Sequence, residues 1–209
     1  MWRVTSGKDD ILFFPRKFTT DKVAVENPFV SLSAFTVAVW VQMDADTDYH
    51  SVFSYAVSGN PNELVMYPTS SLTRIIINKS YLDSNVVLVD GYWHHIAVTW
   101  ENTAGNWILY INGSKINEGT KHAGHTIIKG ALILGQEQDS YMGDFQTFQS
   151  LQGNLTSFNM WNKVLSPVEI ASIAAKRCSS SPEGNAVKWR DLKDKLFGNV
   201  KLTCKSFCG

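Results

Sequence analysis

The sequence predicts an all-β protein, a two-sheet antiparallel sandwich with one short α-helix near residues 167–177. Three observations carry this: runs in which large apolar residues fall at every second position, clusters of turn-forming residues between those runs, and a single segment that switches to helical spacing. In Phe35-Thr36-Val37-Ala38-Val39-Trp40-Val41-Gln42 the odd positions are all large and apolar, the period of a strand with one face on a core. Residues 51–57, 74–78, 86–89, 95–100 and 107–112 read the same way. Between them stand Ser58-Gly59-Asn60-Pro61, Asp90-Gly91 and Thr103-Ala104-Gly105-Asn106. Asn112-Gly113 is the strongest hairpin signal, because both central positions of a type I′ turn need positive φ. The helical segment begins at Ser166 as cap, with Pro167 in the first helical position and Glu169 completing a capping box, and Lys176 and Arg177 close its far end. Val168, Ile170, Ala171, Ile173 and Ala174 form the face expected to pack on the sandwich. Residues 179–185 then read as a surface loop before a short segment at 189–192.

With 209 residues and 44% hydrophobic side chains, one domain spanning residues 1–209 is expected. Lys plus Arg and Asp plus Glu both number 19, so no field of one sign recruits nucleic acid or an anionic membrane, and neither is expected as a partner. No stretch approaches the roughly 18 apolar residues of a membrane helix, and the first ten residues lack the apolar region of a signal peptide. Acceptor triplets for N-glycosylation at Asn78, Asn112 and Asn154 favour an extracellular chain whose signal has been removed. Cys178, Cys204 and Cys208 all lie late in the chain, so a disulfide would staple a C-terminal tail, 178–209, rather than the core. Cys178 can pair with Cys204 or Cys208; the odd thiol and the end at Gly209 point to a piece of a longer protein, while three reduced thiols are the alternative.

Several segments, in order from about residue 13 to about 192, resemble the pentraxin family. The densest is Ile133-Leu134-Gly135-Gln136-Glu137-Gln138-Asp139-Ser140, continuing through Phe145, Gln149-Ser150-Leu151 and Gly153 to Asn159-Met160-Trp161 and Leu165-Ser166-Pro167. Val52-Phe53-Ser54-Tyr55-Ala56, Asn62-Glu63-Leu64 and the signature-like His95-Ile96-Ala97-Val98-Thr99-Trp100 add to it. The resemblance implies a jelly-roll sandwich of the concanavalin and laminin-G kind. It also exposes a departure: the signature cysteine is Ala97, and its disulfide partner falls on alanine within Phe35-Thr36-Val37-Ala38-Val39-Trp40. A paired loss leaves two small apolar groups at a cost of about 2–4 kcal/mol. Diverged modules of this type occur in the extracellular regions of adhesion G-protein-coupled receptors, which implies the ectodomain of a cell-surface receptor.

Calcium requires about six to eight oxygen ligands. Glu137 and Asp139, two apart, aim their carboxylates to one side of an extended chain, and Gln138 can offer its carbonyl. The resemblance carries the family's ligand set onto Asn62, Glu137, Gln138, Asp139, Gln146 and Gln149. Two acids of that set are lost, to Pro61 and Gln146, so at most one weak ion is expected, in the ~10⁻⁴ to 10⁻³ M range, with Asp144 near enough to compensate. The competing reading has no metal: Glu137 and Asp139 cap a surface loop, and Gln146 and Gln149 bond to its backbone. The family's choline-contacting aromatic falls on Tyr67 and its glutamate near Leu82, so phosphocholine binding is not expected.

His94 and His95 are adjacent on a strand and face opposite ways, so they do not chelate one ion. His122 and His125 read as a solvated loop rather than a zinc site. Trp40, Trp100, Trp107 and Trp161 read as packing rather than a sugar platform, with Trp93 the open case. Glycosidases on a related sandwich carry Glu-x-Asp-x-Glu, but Tyr141 stands where the second catalytic glutamate belongs, and retaining hydrolysis needs two carboxyls about 5–5.5 Å apart. The expectation is therefore a non-catalytic extracellular recognition or adhesion module that associates with itself. Its ligand would be an extracellular protein or glycan. A calcium-dependent lectin-like module is the runner-up, and a glycoside hydrolase a distant third.

Overall fold

The computed structural model describes residues 10–45, 49–176 and 182–204. Sixteen strands form in chain order: β1 (Asp10–Phe14), β2 (Lys22–Glu26), β3 (Ser31–Leu32), β4 (Ala34–Met43), β5 (Phe53–Val57), β6 (Asn60–Pro68), β7 (Thr73–Ile77), β8 (Ser80–Ser84), β9 (Trp93–Glu101), β10 (Asn106–Ile111), β11 (Ser114–Thr120), β12 (Ile127–Ile128), β13 (Ala131–Leu134), β14 (Gly153–Trp161), β15 (Leu196–Phe197) and β16 (Lys201–Cys204). Helix α1 spans Pro167–Ala175. The first sheet runs β11-β10-β9-β4-β14-β1-β16 and the second β15-β2-β13-β5-β6-β7-β8, all pairs antiparallel; β3 and β12 form a small ribbon. This is the all-β, two-sheet sandwich with one short helix that the sequence predicts.

The core lies between the two sheets. Phe35, Val37, Val39, Val41 and Met43 of β4 supply one wall, and Phe53, Tyr55, Leu64, Met66, Ile75 and Ile77 the other, so the alternation read from the sequence is the inward face. The Asn112-Gly113 turn has φ of 50° and 81°, as a type I′ hairpin needs.

Strand assignment departs from expectation in identifiable places. Residues 86–89 form no strand; Leu88 and Val89 are buried, and the Val86 carbonyl accepts from the Thr73 hydroxyl. Asn60 and Pro61 are not loop but open β6, where a proline at a strand's start costs no ladder bond. Strand β13 is buried on both faces and shows no alternation, and a bulge between Thr156 and Asn159 shifts the phase of β14.

Helix α1 has the predicted capping box, with the Glu169 amide donating to Ser166 Oγ and the Ser166 amide to the Glu169 carboxylate. Its buried face is narrower than expected. Ile170, Ile173 and Ala174 face the sheet, whereas Val168 is 79% exposed and Ala171 is also exposed. Only one row of the helix reaches the sheet, so the flanking positions of the apolar arc stay in solvent. Beneath it lie Tyr110, Trp161, Leu165, Ala38 and Ala97. Ala38 and Ala97 are directly opposite each other across β4 and β9 and both are buried, so the two positions of the absent disulfide are cross-strand neighbours.

Cys178 and Cys208, and the side chain of Cys204, lie outside the described residues. The described part of the C-terminal segment gives an edge strand to each sheet, β15 and β16, and the Val187 carbonyl accepts from the Met160 amide.

Candidate cation site and the face around it

After β13 the chain turns at Gly135, whose φ of 84° and close approach to the Phe14 ring leave no space for a side chain. It then folds back across the outer face of the second sheet. Two glutamines pin it there. Gln136 donates to the carbonyls of Phe18 and Asp21, both at 2.9 Å, and accepts from Ser150 Oγ at 2.9 Å. Gln138 donates to Ser54 Oγ at 3.1 Å and the Ala131 carbonyl at 3.2 Å, and accepts from the Met142 amide at 2.9 Å. With residues 136 and 138 spent inward, Glu137 and Asp139 share the other side, as the two-residue spacing predicts.

Glu137 is only 3% exposed, while Asp139 is exposed. Burial pushes the Glu137 carboxyl up to about 7, the Asp139 carboxylate beside it pushes the same way, and a hydrogen bond from Gln149 opposes them. Glu137 Oε2 and Gln149 Oε1 are buried with no hydrogen-bond partner. Beyond the one Gln149 donor, two buried acceptors of the cluster are left without a donor. Such a set is satisfied by a proton on Glu137 or by a hard cation, which takes oxygen ligands. The residues thus fit one calcium ion. Among the described residues no three His, Cys, Asp or Glu side chains group around a metal position, so amide and backbone oxygens must complete the shell.

Of the other carried-over ligands, Gln146 meets the group only through its carbonyl, which accepts from the Gln149 amide at 3.1 Å, and its side chain is engaged elsewhere. The Asn62 amide donates to Asn60 Oδ1 and its carbonyl accepts from Lys79. Gln146 is exposed and donates to the Asp144 carbonyl at 3.3 Å, the backbone contact expected of a metal-free loop.

Beside the site, the outer face of the second sheet is aromatic. Tyr67 on β6 accepts a hydrogen bond from Arg74 Nη1 at 3.1 Å, and Arg74 forms a bidentate pair with Asp83, both contacts 2.6 Å. The Arg74 guanidinium lies 4.4 Å from the Tyr81 ring centre, and Tyr49 bridges Tyr67 and Phe148 at ring distances of 6.0 and 5.8 Å. Lys17 Nζ ties the loops by donating to the carbonyls of Tyr49 and Phe148. Leu82 does not belong to this face: it points into the core, and β8 alternation places Tyr81 and Asp83 outward. Sequence reasoning missed Tyr49, Arg74, Tyr81 and Phe148. For Arg74 and Tyr81 the signal was present, since each keeps the same phase as Tyr67 in consecutive hairpin strands.

At one end of the sandwich, His122 and His125 are not a solvated loop. His125 Nε2 meets the buried Glu63 carboxylate at 2.6 Å, and Asn60 Nδ2 reaches its other oxygen at 2.7 Å. Asn60 also donates to Asn78 Oδ1, and Asn78 Nδ2 lies 3.4 Å from His122 Nδ1. The histidine-bearing loop is held from the first sheet by Asn102 and Trp100, so this cluster clasps the two sheets together. Removing one partner strands a buried charge. His125→Ala is expected to lower unfolding free energy by about 2 kcal/mol in urea denaturation, and His125→Gln, which can still donate to Glu63, to recover part of it.

The remaining residues read for chemistry fall as packing. His94 bonds Asp90 at 2.9 Å, and His95 packs on the opposite face against Trp40, where burial holds its imidazole down to about 4. Trp100 and Trp107 sit in the core and Trp161 under α1. Asn78 and Asn112 occupy turns and Asn154 lies in β14.

Comparison with known proteins places the chain in a family and agrees with the fold. A sequence profile of the Pentaxin family matches residues 10–204. Neuronal pentraxin-2 of Homo sapiens is 37% identical over 179 residues, 84% of this chain and 41% of that protein. The chain thus spans about two fifths of this relative. Among solved structures, the heptameric SAP-like pentraxin of Limulus polyphemus superposes with a TM-score of 0.82 at 21% identity, covering 97% of this chain and 98% of that one. The full extracellular region of zebrafish Gpr126/Adgrg6 gives 0.66 at 17% identity, covering 94% of this chain and 26% of that one.

Proposed function

The chain belongs to the pentraxin family, and from that premise we propose that it is a non-catalytic extracellular recognition and adhesion module of a larger cell-surface receptor, with a degenerate site for a single weakly held calcium ion. The observation that carries the cation reading is the pair of buried, unpartnered acceptors, Glu137 Oε2 and Gln149 Oε1. Glu137, Asp139 and the carbonyl of Gln138 would hold the ion, and Gln149, Asn62 and Gln146 would have to turn toward it to complete the shell; calcium there would neutralise the two carboxylates and offer a Lewis-acidic position to an anionic or hydroxylated ligand. The aromatic surface of Tyr49, Tyr67, Tyr81 and Phe148 supports ligand contact there and favours, as a second reading, a calcium-dependent lectin-like module. Self-association is part of the proposal, in keeping with the heptameric state of the Limulus pentraxin. Its partners are then a second copy of itself and an extracellular protein or glycan, with no contact to membrane or nucleic acid.

Calorimetric titration with calcium tests the site. A saturable isotherm in the ~10⁻⁴ to 10⁻³ M range that Glu137→Gln abolishes is the expected result. A flat trace at millimolar calcium would remove the ion from the proposal. Sedimentation with and without chelator separates the two readings: an unchanged oligomer favours calcium-independent adhesion, and dissociation favours the calcium-dependent one. With Tyr141 at the position of a second catalytic acid, no hydrolysis of a β-glucan panel above a Glu137→Gln control is expected.

A further inference from the structure

We infer that this chain carries its N-linked glycan at Asn112, while the acceptor triplets at Asn78 and Asn154 stay bare, so that sugar shields the helix-bearing face and leaves the Tyr67 face open. The inference rests on the extracellular reading above. N-linked sugar replaces one hydrogen of the asparagine Nδ2 and projects a bulky, hydrated group from it. An acceptor compatible with the folded chain therefore needs Nδ2 turned to solvent and no buried partner that depends on it. The three asparagines differ on this point.

Asn112 meets the requirement. It sits at the tip of the β10–β11 hairpin, and both it and Ser114 are exposed. Its Oδ1 accepts from the His95 amide at 2.9 Å, which anchors the oxygen and leaves the nitrogen outermost, 3.5 Å from the ring of His94. A secondary amide keeps one N–H for that loose contact. The neighbouring Gly113 lies against α1, where an added Cβ would stand 3.1 Å from Ala171 Cα. A glycan on Asn112 thus rises beside α1, on the outer face of the first sheet.

Asn78 fails because its side chain faces inward. Its Oδ1 accepts from Asn60, which is itself buried, and its Nδ2 lies against His122, inside the cluster that holds the Glu63 carboxylate. A substituted Asn78 would keep one N–H for His122, as Asn112 would for His94, but Asn78 is only half-exposed where Asn112 is exposed, so the first sugar ring would need the space that His122 and the buried Asn60 occupy and would open the clasp between the sheets. Asn154 fails for a different reason. It is paired on both sides, opposite Phe13 in β1 and Gln42 in β4, and its Nδ2 donates to Gln42 Oε1 at 2.9 Å. Gln42 in turn donates to the Gly91 carbonyl at 2.8 Å, so a sugar there would dismantle a row of amides lying flat on the sheet.

The test is to express the full-length protein in a mammalian secretory cell line and treat it with peptide N-glycosidase in ¹⁸O-water before peptide mass spectrometry. Of the three peptides, only the one carrying Asn112 is expected to show isotope-marked deamidation. Asn112→Gln should remove the mark from that peptide without creating one at Asn78 or Asn154, and Asn78→Gln and Asn154→Gln should leave the Asn112 mark intact. A marked Asn78 or Asn154, or a secreted chain with all three bare, would overturn the inference while the extracellular reading stands. A bare chain retained inside the cell would overturn both.

Discussion

Replacing Ala38 and Ala97 together by cysteine is expected to stabilise the protein by about 3 kcal/mol and to raise its melting temperature by roughly 10 °C under oxidising conditions. The two residues face each other across β4 and β9, where directly opposed Cα atoms are about 4.5 or 5.5 Å apart, inside the range a disulfide spans. Closing the loop between them, roughly 60 residues, removes about 4 kcal/mol of unfolded-chain entropy in the loop-closure account. Part is offset because two sulfurs must fit among Tyr110, Trp161, Ile170 and Ile173 under α1. Differential scanning calorimetry with and without reductant separates the two terms. The reduced double variant should melt slightly below the parent and the oxidised one well above it. An oxidised variant no more stable than the reduced one would mean that the helix cannot move aside.

The second large effect is a pH dependence centred on Glu137. In metal-free protein its folded carboxyl titrates at about 7, above its ordinary 4.5, because it is buried and faces Asp139. Between those two values the folded protein keeps a proton that the unfolded chain has released, so stability falls as pH rises. The contribution is complete below about pH 4.5 and gone above about pH 7, a change on the order of 3 kcal/mol. Urea denaturation in chelator at pH 5 and pH 8 should therefore show a lower midpoint at pH 8 for the parent and a much smaller difference for Glu137→Gln. Adding millimolar calcium at pH 8 should return part of the loss to the parent and nothing to the variant, because a cation takes the place of the missing proton. An equal pH dependence in Glu137→Gln would place the effect on other groups.

The fold was legible wherever the two faces of a strand take side chains of different kinds. Residues 35–42 alternate even though β4 is buried on both faces, because its core side takes large aliphatic and aromatic residues while its other side takes Thr36, Ala38 and Trp40 under neighbouring segments, and the Asn112-Gly113 turn announces itself because few other residues adopt positive φ twice. The same signal failed at β13, whose faces are both lined by apolar residues, and at residues 86–89, where Leu88 and Val89 are both buried in the core without a strand to pair with. Helix α1 was legible from its cap, which is local chemistry. The width of its buried face was not, since that depends on which side chains of the sheet lie beneath it.

For the candidate site, the order of residues sufficed to place Glu137 and Asp139 on one side and to show that two acids of the family's set are gone. It could not show that Glu137 would be buried and Asp139 exposed, because that follows from Gln136 and Gln138 anchoring the loop to Ser54, Ser150 and the Phe18 and Asp21 carbonyls. Nor could it bring His125 to Glu63, 62 positions apart in the chain and carried by different sheets. The sequence by itself determined the sandwich, the capped helix, the family likeness and the identity of the carboxylate pair, all set by local spacing or residue type. Tertiary structure alone decided which acid loses its solvent, which histidine becomes a clasp and which aromatic rings share the outer face. Those outcomes depend on desolvation and contact across sheets, quantities that no run of neighbouring residues encodes.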